Sequence, residues 1–132
     1  MSLRFYSVVV DCADIGAQAR WWAQALGWTV WFEEEREAMI VPPHAIGEQA
    51  DSAPVMEQPP VIVFVPVDET KTVKNRLHID LAPPLADDQN AEVERLIALG
   101  ARRVDVGQGA QRSWVVLADP EGNEFCVLDS RD

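Results

Sequence analysis

Arg76-Leu77-His78-Ile79-Asp80-Leu81 alternates charged or titratable side chains with aliphatic ones at every step. Alternation of period two marks a half-buried strand, so Leu77, Ile79 and Leu81 are expected on one side, against an apolar layer such as a helix. Arg76, His78 and Asp80 then share the opposite side. A guanidinium, an imidazole and a carboxylate on one face suggest the wall of a cavity. An antiparallel strand with one wet face alternates in the same way, so the pattern alone leaves both readings open.

Working outward, the chain alternates strands with two helices. Leu3 to Cys12 reads as a strand rich in Phe, Tyr and Val. Asp14 has the character of an N-cap before a helix from about Ile15 to Leu26, which Gly27 closes. Ile15, Ala19, Trp22, Ala23 and Leu26 form its buried stripe, and Trp21 sits beside it, at the border of the core or of a partner surface. Trp28–Glu33 and Ala38–Val41 are expected as strands joined through Glu34-Glu35-Arg36-Glu37. From Pro42 to Pro60 six prolines and glycines interrupt any period. This loop is long enough to be a binding lid carrying His44 and Met56, or else plain surface. Val61–Val67 reads as an aliphatic strand, with Pro66 at an edge or end.

Beyond the opening stretch, Pro83-Pro84 stops the strand and a second helix is expected from about Ala86 to Leu99, ended by Gly100. Its stripe is Val93, Leu96 and Ile97. Arg102–Val106 and Trp114–Ala118 follow as strands around a turn at Gly107 and Gly109, and Glu124–Leu128 is the last strand. Asp119-Pro120-Glu121-Gly122-Asn123 before it is a strong turn signal. The order strand, helix, strand, strand, strand thus occurs twice, with Ala25-Leu26-Gly27 echoed by Ala98-Leu99-Gly100. Two copies of one unit, residues 1–68 and 74–130, are expected within a single domain spanning 1–132. One helix per copy covers one face of its sheet and leaves the other free to form a pocket.

Composition narrows the partners. With 11 Lys+Arg against 22 Asp+Glu the formal charge is −11, which opposes phosphate backbones and anionic lipid surfaces. Nucleic acid and membranes are therefore not expected as partners, and a cationic small molecule would be drawn in. No apolar run is long enough to cross a bilayer and the N-terminus lacks the form of a secretory signal, so a cytoplasmic location is expected. Cys12 and Cys126 lie in strand-like segments without metal-type spacing and are read as reduced.

The stretches Asp11-Cys12-Ala13-Asp14, Trp21-Trp22, Ala25-Leu26-Gly27-Trp28, Lys74 through Leu81, Ala98-Leu99-Gly100-Ala101 and Asp119 through Phe125 carry a resemblance that spans nearly the whole chain. Together they resemble the vicinal oxygen chelate superfamily of glyoxalases, bleomycin-resistance proteins and dioxygenases, in its glyoxalase-like branch. The resemblance implies an α+β fold of two βαβββ modules forming an open, cavity-bearing pair of half-barrels, commonly in a homodimer.

It also implies, for metal-dependent relatives, four ligands: a His or Gln beginning each module and a Glu near each module's end. Those positions fall here on Ser7, near Val65, on His78 and on Cys126, so one of four survives. Serine is a poor ligand and valine none, and a lone His with a Cys closes neither a tetrahedral nor an octahedral site. Glu124 is expected to face away from Cys126 in a regular strand, unless a bulge after Gly122 turns it inward. No cofactor and no family-type metal are expected.

Two functions compete. The first is a metal-independent small-molecule-binding protein in which Trp28, Trp31 and Trp114 stack on a planar or cationic ligand, with Arg76, Asp80, Ser7, Cys126 and Glu124 completing the substrate-binding set. The second is a lyase or isomerase of the superfamily in which His78 is the catalytic acid or base, with or without a divalent metal, and Arg76 grips a substrate carboxylate. In either case the Arg76, His78 and Asp80 side chains would alternatively form a structural network of their own. A partner-binding domain with a filled cavity is the third possibility. Nucleophile elbows, phosphate loops and dinucleotide fingerprints are absent from the sequence.

Overall fold

A computed structural model describes residues 2–48, 52–105, 107 and 113–132. Val106 and Gly109, assigned above to a strand and its turn, lie outside the described residues, as do positions 49–51 of the long loop. The chain forms two compact units, Met1–Thr70 and Lys71–Asp132.

The first unit begins with β1 (Ser7–Cys12), shorter than expected because residues 3–6 stay outside the ladder. Helix α1 (Ile15–Leu26) starts where Asp14 accepts a hydrogen bond from the Ala17 amide, and it stops where Gly27 takes a φ of 67° that a side chain would disfavour. Strands β2 (Thr29–Glu33), β3 (Ala38–Val41) and β4 (Val61–Pro66) complete the sheet in the order β1-β4-β3-β2. β1 and β4 are parallel, because the helix and two strands between them carry the chain back to the same end. Pro66 is the last residue of β4 and interrupts no ladder. The long loop contains two single 3-10 turns, Pro43–Ala45 and Val55–Glu57.

The second unit repeats the plan. β5 (Asp80–Leu81), α2 (Gln89–Leu99), β6 (Arg102–Arg103), β7 (Val115–Ala118) and β8 (Glu124–Val127) give a sheet ordered β5-β8-β7-β6. The doubled βαβββ pattern holds, and both sheets are open rather than closed into a barrel. Helix α2 starts three residues later than expected because Asp88, not a residue before Ala86, supplies the cap to the Ala91 amide.

The opening stretch is the main correction. Only Asp80 and Leu81 of the expected strand pair in the sheet, in parallel with Cys126 and Val127. Leu77 is 88% exposed instead of packed beneath a helix. The cause lies in Glu124, whose carboxylate accepts the Asn75 amide at 2.9 Å, while Asn75 Nδ2 donates to the Glu124 carbonyl at 3.3 Å. Side-chain bonds replace the ladder there, so the chain before Ile79 bends and alternation no longer decides which way a residue points.

Each core uses corresponding positions. Phe64 and Ile40 in the first unit, and Phe125 and Leu117 in the second, are fully buried. Each such side chain contributes on the order of 1.5–3 kcal/mol by leaving water. α1 packs on β2, β3 and β4 and buries both tryptophans. Trp21 and Trp22 meet edge to face with centroids 5.1 Å apart, so Trp21 belongs to the core and not merely to its border. In the second unit Val93 and Leu96 are buried on α2, and Ile97 is half-buried. Asp119 is fully buried in the turn before β8, where it accepts from the amides of Glu121 and Asn123, both at 2.9 Å.

Candidate functional site

Strand alternation builds a wall in the second unit. Phe125, Val127 and Leu117 fill the core, so their neighbours Glu124, Cys126, Leu128 and Val116 face the other way. With Trp114, Lys74, His78 and Asp80 they line a cavity of about 410 Å³. That volume lies in the range of small-molecule sites. Glu124 and Cys126 share this wall, contrary to the expectation that Glu124 would face away. Two residues apart on a regular strand they must lie on one face, and no bulge is needed.

Of the residues singled out in the sequence, this cavity gathers His78, Asp80, Trp114, Cys126 and Glu124. Arg76 is exposed and is not part of the lining, because the chain bends before Ile79. Trp31 belongs to the first unit, where it lines a separate hollow of about 420 Å³ with Arg4, Tyr6 and His44. Arg4 there stacks over the Tyr6 ring, 4.9 Å from its centroid, and donates to Gln58 Oε1. His44 of the long loop thus reaches a pocket, whereas Met56 is exposed and outside its lining. Ser7 is half-buried on β1, paired with Val61, and lies outside that lining too. Trp28 precedes β2 and lines neither hollow.

Sequence reasoning missed the cations. Lys71 Nζ donates to Glu124 Oε1 at 2.9 Å, and the Asn75 amide takes Oε2. Lys74 Nζ stands 3.1 Å from His78 Nε2. An ammonium can only donate, so this contact uses the Nε2 lone pair and leaves the ring proton on Nδ1. The signal was present in the alternation, since Lys74 precedes His78 by an even number, but that same count would have kept Arg76 in the wall.

Charges in the wall are tuned accordingly. Burial alone would raise the Glu124 carboxyl, yet the hydrogen bond from Lys71, that of the Asn75 amide and the nearby ammonium outweigh it and hold the group below the usual glutamate value. The Cys126 thiol is pushed up, first by burial and then by the Asp80 carboxylate beside it, with Lys74 pulling weakly the other way. Cys12 and Cys126 are both buried thiols outside any disulfide.

The metal implied by the family resemblance is not matched by these donors. Among the described residues no group of three His, Cys, Asp or Glu side chains is placed to hold a metal ion. Both Glu124 oxygens are engaged, the His78 Nε2 lone pair faces an ammonium, and the residue that the resemblance aligns with a first-module ligand is Ser7, a poor ligand, at the start of β1.

With this geometry in view, comparison with known proteins is direct. The profile of the Glyoxalase-like domain family matches residues 7–128. The chain belongs to that family. Solved structures agree on the fold of this glyoxalase-like domain. It is similar to a glyoxalase/bleomycin resistance protein/dioxygenase family enzyme from Burkholderia phytofirmans PsJN, with a TM-score of 0.68, 17% identity, and 96% of this chain and 98% of that one covered. The fosfomycin resistance protein FosX from Listeria monocytogenes, complexed with Mn(II) and sulfate ion, gives a TM-score of 0.69 at 11% identity over 98% and 92% of the two chains. FosX from Mesorhizobium loti gives 0.65 at 13% identity over 96% and 92%. No curated protein is significantly similar in sequence to this chain. At these identities the neighbours speak for the fold, and none of the second unit's cavity chemistry is taken from them.

Proposed function

We propose that this protein binds a small organic molecule in the cavity of its second unit, without a metal. The observation that carries the reading is the wall itself: one indole, aliphatic side chains and a few fixed polar groups around about 410 Å³. Trp114 supplies a face for a planar group, and His78 and Lys74 supply directional polar contacts. The reading takes residues 1–132 as one domain of two modules, 1–68 and 74–130, acting as a cytoplasmic homodimer. The homodimer rests on the family resemblance and the cytoplasmic location on the lack of a long apolar run in the sequence; no helix among the described residues is long and apolar enough to cross a membrane. Screening a library of small aromatic compounds should quench tryptophan fluorescence, and Trp114→Phe should remove most of that response. A response that survives the substitution in full would move the site elsewhere.

The contact between Lys74 and His78 favours a second reading, in which the imidazole moves a proton of the bound molecule. His78 is on the wall, within reach of a guest, and its ring orientation is fixed by a neighbour. Under this reading His78→Gln abolishes turnover of any substrate the screen identifies while leaving its binding within about threefold. Full turnover by the variant removes His78 as acid or base.

A further inference from the structure

The geometry points to an organic anion, an aromatic carboxylate in chemical class, as the molecule this cavity takes, with the Lys74 ammonium as its anchor. The inference rests on the binding role proposed above and goes beyond it by fixing the charge of the guest. It also reverses the expectation from net charge, which favours cations.

The charges of the wall are compensated unequally. Glu124 brings a negative charge, but Lys71 neutralises it at 2.9 Å and the Asn75 amide satisfies its second oxygen. Asp80 stands opposite Cys126 in the ladder, and its charge is felt by that thiol. Lys74 has no carboxylate within ion-pair distance among the described residues, and its contact there is the His78 ring nitrogen. One of its three N–H groups is used on Nε2, and two remain for a guest.

The segment holding Lys74 is fastened on either side. Lys71 and Asn75 both bind Glu124, so the two flanks of Lys74 are tied to the first residue of β8. The backbone that carries the exposed Lys74 side chain has thus lost part of its freedom before a ligand arrives, which lowers the cost of presenting its ammonium to an oxyanion. Around it Trp114, Val116 and Leu128 offer an apolar and aromatic surface for the body of the molecule. The net charge of −11 acts at long range, and salt at physiological strength screens it beyond about 8 Å. Within contact distance the nearest uncompensated charge decides. Asp80 would serve a cation instead, so the test must include one.

Benzoate, benzamide and benzylammonium are three probes of one shape and three charges. Their dissociation constants are measured on the wild type, Lys74→Met and Lys74→Arg by ligand-observed NMR, with the shifts of the His78 ring as the reporter of place. Benzoate should bind about tenfold more tightly than benzamide to the wild type, the two should fall within about twofold of each other in Lys74→Met, and Lys74→Arg should restore most of the gap. Preference for benzylammonium, or a benzoate advantage that survives Lys74→Met, would overturn the anion assignment and leave the binding role standing. If none of the three disturbs the His78 ring of the wild type, both fall together.

Discussion

At the scale of single residues, the cavity is governed by which charge faces which. Cys126 is 8% exposed and its thiol is held up by burial and by Asp80, so little of it is thiolate near neutral pH. Replacing Asp80 with Asn removes a repelling charge without changing size. Alkylation of Cys126 by iodoacetamide near neutral pH, followed by peptide mass spectrometry, should then run roughly three- to tenfold faster. Lys74→Met should slow the same reaction, because Lys74 acts on the thiol in the opposite sense. An Asp80→Asn protein that reacts no faster would mean that burial alone protects the thiol.

Single residues also show how legible the site was. Cys126 and Glu124 were named from the sequence because the family resemblance places a ligand position at the last strand, and His78, Asp80 and Trp114 because polar or aromatic groups within strand-like runs stand out against an aliphatic background. Arg76 was named for the same reason and falls outside the wall. Its place depended on a strand that Glu124 prevents by taking the Asn75 amide, 49 residues away in the chain. Lys74 was quoted only within a motif of the resemblance and given no role, because a lysine in a polar connector looks like any solvated charge. Its meaning comes from the His78 nitrogen it meets and the carboxylates it does not.

Among elements, β8 does two jobs with one alternation: Phe125 and Val127 enter the core, and Glu124 and Cys126 face the cavity. Glu124 additionally fastens the approach to β5, with its side chain 11% exposed and that of Lys71 20% exposed. A carboxyl held below its ordinary value in the folded state stabilises the fold fully above that ordinary value. The contribution drains away as pH falls from there through the depressed value. Glu124→Gln should therefore cost about 1.5–3 kcal/mol at neutral pH, and much less once the wild-type group is protonated. Urea titrations across the acid range would check this; a cost independent of pH would show that the carboxylate charge is not what holds the segment. The helices and most strands were readable in advance, since Asp14 and Gly27 carry their capping chemistry locally. Ends such as residues 3–6 and 76–79 were not, because leaving a sheet depends on what the neighbouring strand offers.

For the molecule as a whole, the duplicated plan places a hollow in each unit, yet only the second unit's hollow carries the Lys74 and His78 pair. The first is lined instead by Trp31, Tyr6 and an Arg4 already engaged by Gln58 and the Val55 carbonyl. If no metal is required, prolonged treatment with a chelator should leave the melting temperature within about 1 °C and the affinity for benzoate unchanged. A fall of several degrees, reversed by a divalent ion, would overturn metal independence.

The sequence by itself determined the doubled βαβββ order, the caps of the first helix and the chemical identity of most of the wall, and its motifs carried the resemblance to the family. The order and the caps follow from local periodicity, capping and turn chemistry, which need only a few neighbouring residues, whereas the family follows from resemblance to motifs spread along the chain. Only the tertiary structure decided that Arg76 leaves the wall and that the Lys74 ammonium stands against His78. Those outcomes turn on bonds between residues far apart in the chain, where one carboxylate captures a backbone amide and so redirects the segment that carries the cation.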